Sequence, residues 1–209
     1  MTTAAPSPAG RAARLRLRRR LDTAIRGADL LDRQLHLLRA ELAELRRAET
    51  HAGEEWEQRA HRARTWLLRG LLIGGEDALR TASLVPDADV TVEWVDTLGV
   101  RRPGRTSTTP GTPAASDAPP GNTALTHART AHAAALDAAA RYGAAAAAAR
   151  AVEARAHRTL TRVRALRRHR IPHLQQRLTA VDLALEQAEH EDAVRRRWAA
   201  QQTGRHVGG

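Results

Sequence analysis

Two groups of histidines are the features of this sequence that most resemble a metal-binding site. His169 and His173 stand four residues apart, so they would share one face of a helix, as a pair of zinc ligands does. No carboxylate at ligand spacing joins them. The stretch His190–Asp192 lacks the second histidine of a metalloprotease helix and is typical of a solvated polar face. The sequence therefore predicts no metal site.

A phosphate-binding loop and thiol catalysis are excluded by residue type. Gly70, Gly74 and Gly75 do not form a phosphate-binding loop, because such a loop ends in Gly-Lys-Ser or Gly-Lys-Thr and the chain contains no Lys. The absence of Cys excludes disulfides and thiol catalysis, and it fits a reducing compartment. We therefore predict no catalytic residue and no cofactor.

Arginine is the residue type in this chain that could bind a partner. The chain carries 34 basic residues against 23 acidic ones, and its net charge of +11 favours an acidic partner. Charge alone does not distinguish nucleic acid, an anionic membrane surface and an acidic cavity in another protein; the alternative is a solvated helix surface. The candidates for partner contact are Arg11, Arg14, Arg18, Arg19, Arg164, Arg167, Arg168, Arg195, Arg196 and Trp198.

Two segments of the chain carry a heptad repeat of apolar residues, the repeat that coiled-coil helices require. One segment runs from Leu17 to Leu45 and the other from Leu174 to Ala188, so each can supply the partner stripe of the other. With no Phe and 2% aromatic residues, a bulky globular core is not expected. The predicted seam consists of Leu17, Leu21, Leu31, Leu35, Leu38, Leu42, Leu45, Leu174, Leu178, Val181 and Leu185.

The predicted fold class is all-α. We expect a long antiparallel two-helix coiled-coil hairpin, with a small strand or hairpin and a disordered Pro-rich loop between the helices. Val90, Val92 and Trp94 alternate with their neighbours at the period of a strand. In chain order we predict a disordered tail (1–10), a first long helix (11–82, weakened near 50–53 and 74–75), a short strand or hairpin region (83–100), a flexible Pro/Gly/Ser/Thr linker (101–123), a second long helix (124–203) and a tail (204–209).

The way the helices pair is predicted from their side chains. Folding one helix back on the other would place Leu17 near Trp198, Leu45 near Ile171, and Trp66 near the tract 144–149, so that indoles face alanine methyls. The same pairing would bring the arginines of 11–20 beside those of 195–197 and form one strongly basic tip. A kink is expected at Pro172, because a proline inside a helix removes one backbone hydrogen bond.

No segment of the sequence is long and apolar enough to span a membrane. The longest strongly apolar run, Leu67 to Ile73, is interrupted by Arg69 and Gly70, and it is much shorter than the roughly 20 residues that a span needs. The arginine-rich start continues directly into the heptads, so we interpret it as part of the mature chain. Any membrane association would therefore depend on partner proteins.

Three segments together resemble one protein family. GRAARLRLRRRLDTAIRGADLLDRQLHLLRAEL, VTVEWVDTLGVRRP and RVRALRRHRIPHLQQRLTAVDLALEQAEHED are similar, in order, to the D subunit of V/A-type ATPases, the central rotor stalk. The family pattern Asn-Ala-Leu-Glu, three residues, Ile-Pro is matched at Ala165, Leu166, Ile171 and Pro172. Arg164 stands in place of its Asn and Arg167 in place of its Glu.

The resemblance implies a non-catalytic shaft that couples ATP hydrolysis or synthesis to ion transport, with protons as the expected ion. Its paired termini would enter a catalytic hexamer of nucleotide-binding subunits, and its middle region would face a membrane-side rotor subunit. The small F subunit of the rotor would bind the shaft, with one copy of the chain in each complex. The implied location is cytoplasmic, peripheral to the cell membrane through the complex.

Two other functions remain open from the residues alone. A basic coiled coil could bind nucleic acid, although the chain lacks zinc-finger spacing and aromatic stacking residues among its arginines. It could also be a scaffolding coiled coil, which would form homo-oligomers. The intramolecular seam favours a single copy.

Overall fold

The computed structural model describes residues 8–82, 87–111 and 121–206, and these residues are mostly helical. The elements are α1 (Pro8–Ala82), β1 (Asp89–Thr97), β2 (Val100–Thr109), α2 (Thr123–Ala165), a π-helical turn (Leu166–Arg170) and α3 (Ile171–His206). Long helices with one small antiparallel hairpin confirm the predicted fold class.

The helices extend further at both ends than the sequence pattern predicted. α1 begins at Pro8 instead of Arg11, because a proline lacks only an N–H that the first helical turn leaves unpaired. α3 continues to His206, three residues past the predicted end, so Gly204 does not end the helix. Residues 1–7 and 207–209 of the predicted tails lie outside the described part of the chain.

The two predicted weak points of the first helix behave differently. α1 passes through residues 50–53 with helical dihedrals, and the ring of Tyr142 lies 3.3 Å from where a β-carbon of Gly53 would stand. Gly53 thus makes room for an aromatic ring and does not interrupt the helix. Gly75 does interrupt it, because its φ of 64° and ψ of −173° are non-helical.

The chain divides into two compact units. The first unit comprises Met1–Gln34 and Arg158–Gly209, and the second comprises Leu35–His157. In the first unit α1 runs antiparallel to α3, since Arg11 pairs with Glu189 whereas Asp32, later in α1, pairs with Arg167, earlier in the chain. The buried apolar residues of this unit include Leu17, Ala28, Val163 and Leu174.

The second unit packs α1 antiparallel on α2. Arg46 pairs with Glu153, and further along α1 the indole of Trp66 packs on His127, which is earlier in α2. Its core combines a few large side chains with many small ones: Leu35, Leu38, Leu45, Ala63, Leu125, Ala128, Ala135, Ala138, Ala146, Ala149 and Val152 are all buried. Across both units, every residue of the predicted seam is buried or half-buried.

The helices of the second unit pair at a different register from the predicted one. Trp66 contacts His127 with ring centroids 4.6 Å apart, several helical turns from the alanine tract 144–149. Trp56 stacks on Tyr142 at 5.6 Å, with the rings within 5° of parallel. The predicted contact of Trp66 with the tract 144–149 is therefore wrong: Trp56 and Trp66 each pack on an aromatic ring, and such stacking contributes beyond the buried area.

The predicted flexible linker 101–123 contains a strand. β2 pairs antiparallel with β1, and Pro103 lies where the register of the ladder shifts between Val92 and Trp94. A proline has no N–H to donate, so an irregular position in a ladder is where a strand tolerates one. The guanidinium of Arg102 also binds the carboxylate of Glu41 at 2.9 Å and ties the hairpin to α1. The prediction of a linker was wrong here because the Ser, Thr, Gly and Pro content of this segment is typical of a linker. Residues 112–120 lie outside the described chain.

The hairpin turn contains a strained leucine. Leu98 and Gly99 have φ angles of 53° and 73°, as in a type I′ turn, in which both central residues are left-handed. A branched side chain at positive φ costs about 1–2 kcal/mol, whereas asparagine adopts this conformation routinely. The backbone strain at Leu98 should therefore be relieved by a residue that tolerates a positive φ.

We expect Leu98→Asn to raise the free energy of unfolding by about 1 kcal/mol, because it removes this strain. Thermal unfolding, with hydrogen exchange of the β1 and β2 amides, is the measurement. Leu136→Asn is the matched control: Leu136 on α2 is 39% exposed against 37% for Leu98, but its backbone is helical, so asparagine should destabilise there. Destabilisation by both substitutions would contradict the assignment of strain to Leu98.

A π-helical turn, and no break in the helix, precedes Pro172. The N–H of Ile171 donates to the carbonyl of Leu166, five residues earlier, and Ile171 itself keeps helical dihedrals. Successive apolar residues of the seam are mostly three or four positions apart in sequence, but Leu166 and Ile171 are five positions apart. One π turn accommodates the extra residue. The helix is thus distorted in the turn before Pro172, and the kink at Pro172 stays a prediction.

Candidate partner-binding surfaces

Two arginines of the predicted basic tip, Arg11 and Arg14, face carboxylates across the first unit. The Arg11 guanidinium binds Glu189 at 3.1 Å, and Arg14 Nε lies 2.6 Å from Asp182 Oδ1 in a charge contact without hydrogen-bond angles. The arginines at the start of α1 thus face carboxylates of α3, because the helices do not pair at the predicted register. Leu17 is buried, but Trp198 is 66% exposed and does not cover it.

Other residues of the predicted tip are exposed and differ in their partners. Arg195 binds Glu191 and Asp192 on its own helix, each at 3.3 Å, and Arg196 Nε donates to the carbonyl oxygen of Asp192. Arg18 and Arg19 are exposed on α1. Among the described residues neither has a carboxylate within ion-pair distance.

The arginines around the π turn also separate into paired and free residues. The Arg167 guanidinium reaches across to α1 and binds Asp32 at 3.1 Å and Asp29 at 3.5 Å. Arg164 and Arg168 are exposed, and within the described chain no carboxylate pairs with either. The structure therefore assigns Arg167 to an intramolecular contact and leaves its neighbours available.

Free arginines continue on both sides of the π turn. We call this set the basic segment; its members are the exposed residues Arg158, Arg162, Arg164, Arg168, Arg170 and Arg177. A shallow surface groove of about 500 Å³ lies within it, lined by Ala165, Arg168, His169, Arg170, Pro172, His173 and Gln176. His169 and His173 thus border a basic groove, and no carboxylate lines it.

A second basic groove lies between α1 and α2 in the second unit. Trp66 contacts His127 on α2, and the Arg69 guanidinium lies 4.9 Å from the Trp66 ring centroid. The groove measures about 450 Å³ and is lined by Arg59, Arg62, Trp66, His127, Thr130, Ala131 and Ala134. No pattern in the sequence singled out His127, because its role depends on the register of the two helices.

Ion pairs between α1 and α2 are the other electrostatic feature of the second unit. Arg46 binds Glu49 on its own helix and Glu153 on α2, at 2.8 and 2.7 Å. The hydrogen bond to Glu49 and the charge of Glu153 raise the pKa of Arg46 above its ordinary value. Arg141 on α2 binds Glu55 on α1 at 3.2 Å. Since these pairs are exposed or half-exposed, they select the register more than they add stability.

The junction between the end of α1 and the start of α2 is tightly packed. Asn122 caps α2, since its Oδ1 accepts from the N–H of Leu125 at 2.9 Å, and its amide donates to the carbonyl oxygen of Gly70 at 3.1 Å. A β-carbon on Gly70 would stand 2.5 Å from Leu125 Cδ2. The contact of Asn122 with Gly70 depends on how α1 packs against the start of α2, so the sequence did not predict it.

Three exposed apolar side chains lie near the end of α1. Leu68, Leu72 and Ile73 are 54%, 87% and 70% exposed, although they belong to the most apolar run of the chain. An exposed group of large apolar side chains is typical of a protein interface. This group is an apolar candidate surface beside the two basic ones.

Metal-binding and membrane-spanning features are absent from the residues that the structure describes. They contain no group of three or more His, Cys, Asp or Glu side chains that could hold a metal ion. Nor does any helix among them combine the length and the apolar composition needed to cross a membrane.

Long antiparallel helices joined by ion pairs, with a small antiparallel hairpin, define a coiled-coil-like fold. The chain belongs to the ATP synthase D-subunit family, whose model matches residues 13–201. This match confirms the resemblance to the D subunit of V/A-type ATPases. The protein is thus a stalk subunit of a rotary ATPase, and its partners are other subunits of that complex. A search of curated proteins finds no match.

Proposed function

We propose that the chain is the non-catalytic central rotor shaft of a V/A-type ATPase or ATP synthase. It would couple ATP hydrolysis or synthesis in a catalytic hexamer to ion translocation, with protons as the expected ion, by rotating as one copy in each complex. The observation that carries the proposal is the family match over residues 13–201. Its partners would be the hexamer, the small F subunit of the rotor and a membrane-side rotor subunit, at the cytoplasmic face of the membrane.

The packing within each unit supports a mechanical role. A shaft transmits torque only if its helices do not slide past each other. In the second unit the Trp56–Tyr142 stack and the Arg46–Glu153 pair resist sliding, because moving α2 by one turn would break both contacts. In the first unit the pairs of Arg14 with Asp182 and of Arg167 with Asp32 have the same effect.

The charges supply the asymmetry that a shaft needs. A rotor angle can favour one conformation at each catalytic interface only if the shaft contacts them unequally. Basic side chains on one face would do this against an acidic inner wall. We therefore propose the partner-contact candidates Arg18, Arg19, Arg164, Arg168 and Trp198, which are exposed, as hexamer contacts. Arg11, Arg14, Arg167, Arg195 and Arg196 would act through their intramolecular contacts.

The apolar group at the end of α1 supports a second interface. Leu68, Leu72 and Ile73 lie near the end of α1, and the family resemblance directs the region between the paired termini towards the membrane-side rotor subunit. We assign this group to that rotor partner, because burying large exposed apolar side chains drives the association of subunits.

Affinity purification of the full chain from its native cells under gentle detergent tests the proposal. We expect recovery of a single copy with three plus three large nucleotide-binding subunits and a small rotor partner, counted by mass. Recovery of nucleic acid alone would favour a basic nucleic-acid-binding protein. Recovery of self-oligomers alone would favour a scaffolding coiled coil. Either result would refute the shaft proposal.

A further inference from the structure

The whole net charge of the chain lies in one of its two units. The first unit holds nineteen arginines and eight acidic residues, whereas the second holds fifteen of each. The net charge of +11 therefore belongs to the first unit, and the second is neutral. Long-range attraction to an acidic partner must then act on the first unit.

Within the first unit the charge is concentrated around the π turn. No Asp or Glu occurs between Glu153 and Asp182, and this interval includes the whole basic segment. In the part of the chain that the structure describes, Arg167 is the arginine between Arg158 and Arg177 that pairs with carboxylates. The six arginines of the basic segment are exposed and available to a partner.

The π turn places these arginines on the surface. None of the residues Leu166–Arg170 is buried, and the i to i−5 hydrogen bond widens the helix where the apolar seam skips a residue. The pair of Arg167 with Asp29 and Asp32 joins this turn to α1. Arg164 and Arg168, whose guanidinium groups are free, thus lie beside a turn that is anchored to α1 by Arg167.

We propose that the basic segment is the site where the first unit binds an acidic protein surface, namely the wall of the catalytic hexamer, with Arg164 and Arg168 as direct contacts and Arg167 as a positioning residue. This inference rests on the proposed function. The segment carries no Trp, Tyr or Phe on which single-stranded bases could stack, which favours an acidic protein over single-stranded nucleic acid.

The proposal predicts a salt-sensitive attachment at one unit. Exposed ion pairs are screened as the Debye length falls from about 14 Å at 0.05 M salt to about 6 Å at 0.3 M. Hexamer recovery should therefore decline over this range, whereas contacts of the neutral second unit should be less affected. Recovery of the small F subunit serves as the internal reference.

The test compares two variants of the full chain with equal changes in charge. Arg164→Glu/Arg168→Glu alters the basic segment, and Arg64→Glu/Arg150→Glu alters two exposed arginines of the neutral unit, which have no ion pair among the described residues. Both variants should show the wild-type helical circular dichroism, because none of the four residues is buried. Each tagged chain is purified from native cells, and the recovered hexamer and F subunit are quantified by mass.

We expect the first variant to lose about tenfold in hexamer recovery while retaining the F subunit, and the control to retain both. Equal loss in both variants would show a general charge effect, and equal retention would show that the segment is not a contact; either overturns the inference while leaving the shaft intact. Recovery of nucleic acid with the wild type and its loss in the first variant would also overturn it. Absence of every ATPase subunit from the wild-type sample would instead refute the proposed function.

Discussion

Replacing Leu38 with alanine is expected to lower the free energy of unfolding by about 2–5 kcal/mol. Leu38 is a predicted seam residue, and its side chain has 0% exposure, so truncation removes a full set of contacts and leaves a cavity. Urea or thermal unfolding followed by circular dichroism measures the change. This effect is the largest that we predict for a single truncation.

Two other leucines calibrate this prediction. Leu37 is 57% exposed on the same helix, so Leu37→Ala should change stability by less than about 0.5 kcal/mol. Leu178 in the seam of α3 is half-buried, so Leu178→Ala should fall between the two. Equal unfolding of Leu38→Ala and Leu37→Ala would show that Leu38 is not in a packed core.

The second large effect is expected at the junction of α1 with α2. Gly70→Val should destabilise by about 1–3 kcal/mol, because its side chain would overlap Leu125. A β-carbon there would lie 2.5 Å from Leu125 Cδ2 and 3.3 Å from the Leu125 amide nitrogen, and Leu125 is itself 3% exposed. Displacing the backbone of α2 would also strain the hydrogen bond from Asn122 to the Gly70 carbonyl oxygen.

A second helical glycine, Gly143, provides a control for which the expected change in stability has the opposite sign. Gly143 also lies inside a helix, but no atom comes within 4 Å of the position of its β-carbon. Gly143→Ala should therefore stabilise by about 0.5–1 kcal/mol through helix propensity alone. Thermal unfolding of both variants distinguishes a packing role for Gly70 from a general effect of helical glycines. Stabilisation by Gly70→Val would contradict the close approach seen at the junction.

Local patterns in the sequence were sufficient for the fold class. A heptad repeat is a property of one helix, so Leu17, Leu38 and Leu174 could be assigned to a buried stripe without knowing what covers them. The alternation around Val92 likewise predicted β1. β2 was missed because Pro103 and its polar neighbours resemble a linker, and only the pairing with β1 makes them a strand.

The sequence predicted that the candidate site is made of arginines, but it did not predict which of them are paired with carboxylates inside the protein. Arginines clustered near residues 164–168 were evident, and the structure then separated them: Arg167 pairs with Asp29 and Asp32, while Arg164 and Arg168 remain exposed. Asp29 and Arg167 are far apart in sequence, so their contact depends on how α1 and α3 align. Charge patterns along a single helix do not contain that alignment.

Long helices with an apolar stripe, a strand and a basic surface could be predicted from the sequence, because each of these is a short-range pattern. The register of the helices, and therefore the identity of every contact between them, depends on the tertiary structure. Sliding one helix along the other by a heptad leaves the apolar stripes facing each other, so the repeat does not select a register. Specific pairs such as Tyr142 on Gly53, Leu125 on Gly70 and Asp182 on Arg14 make that selection.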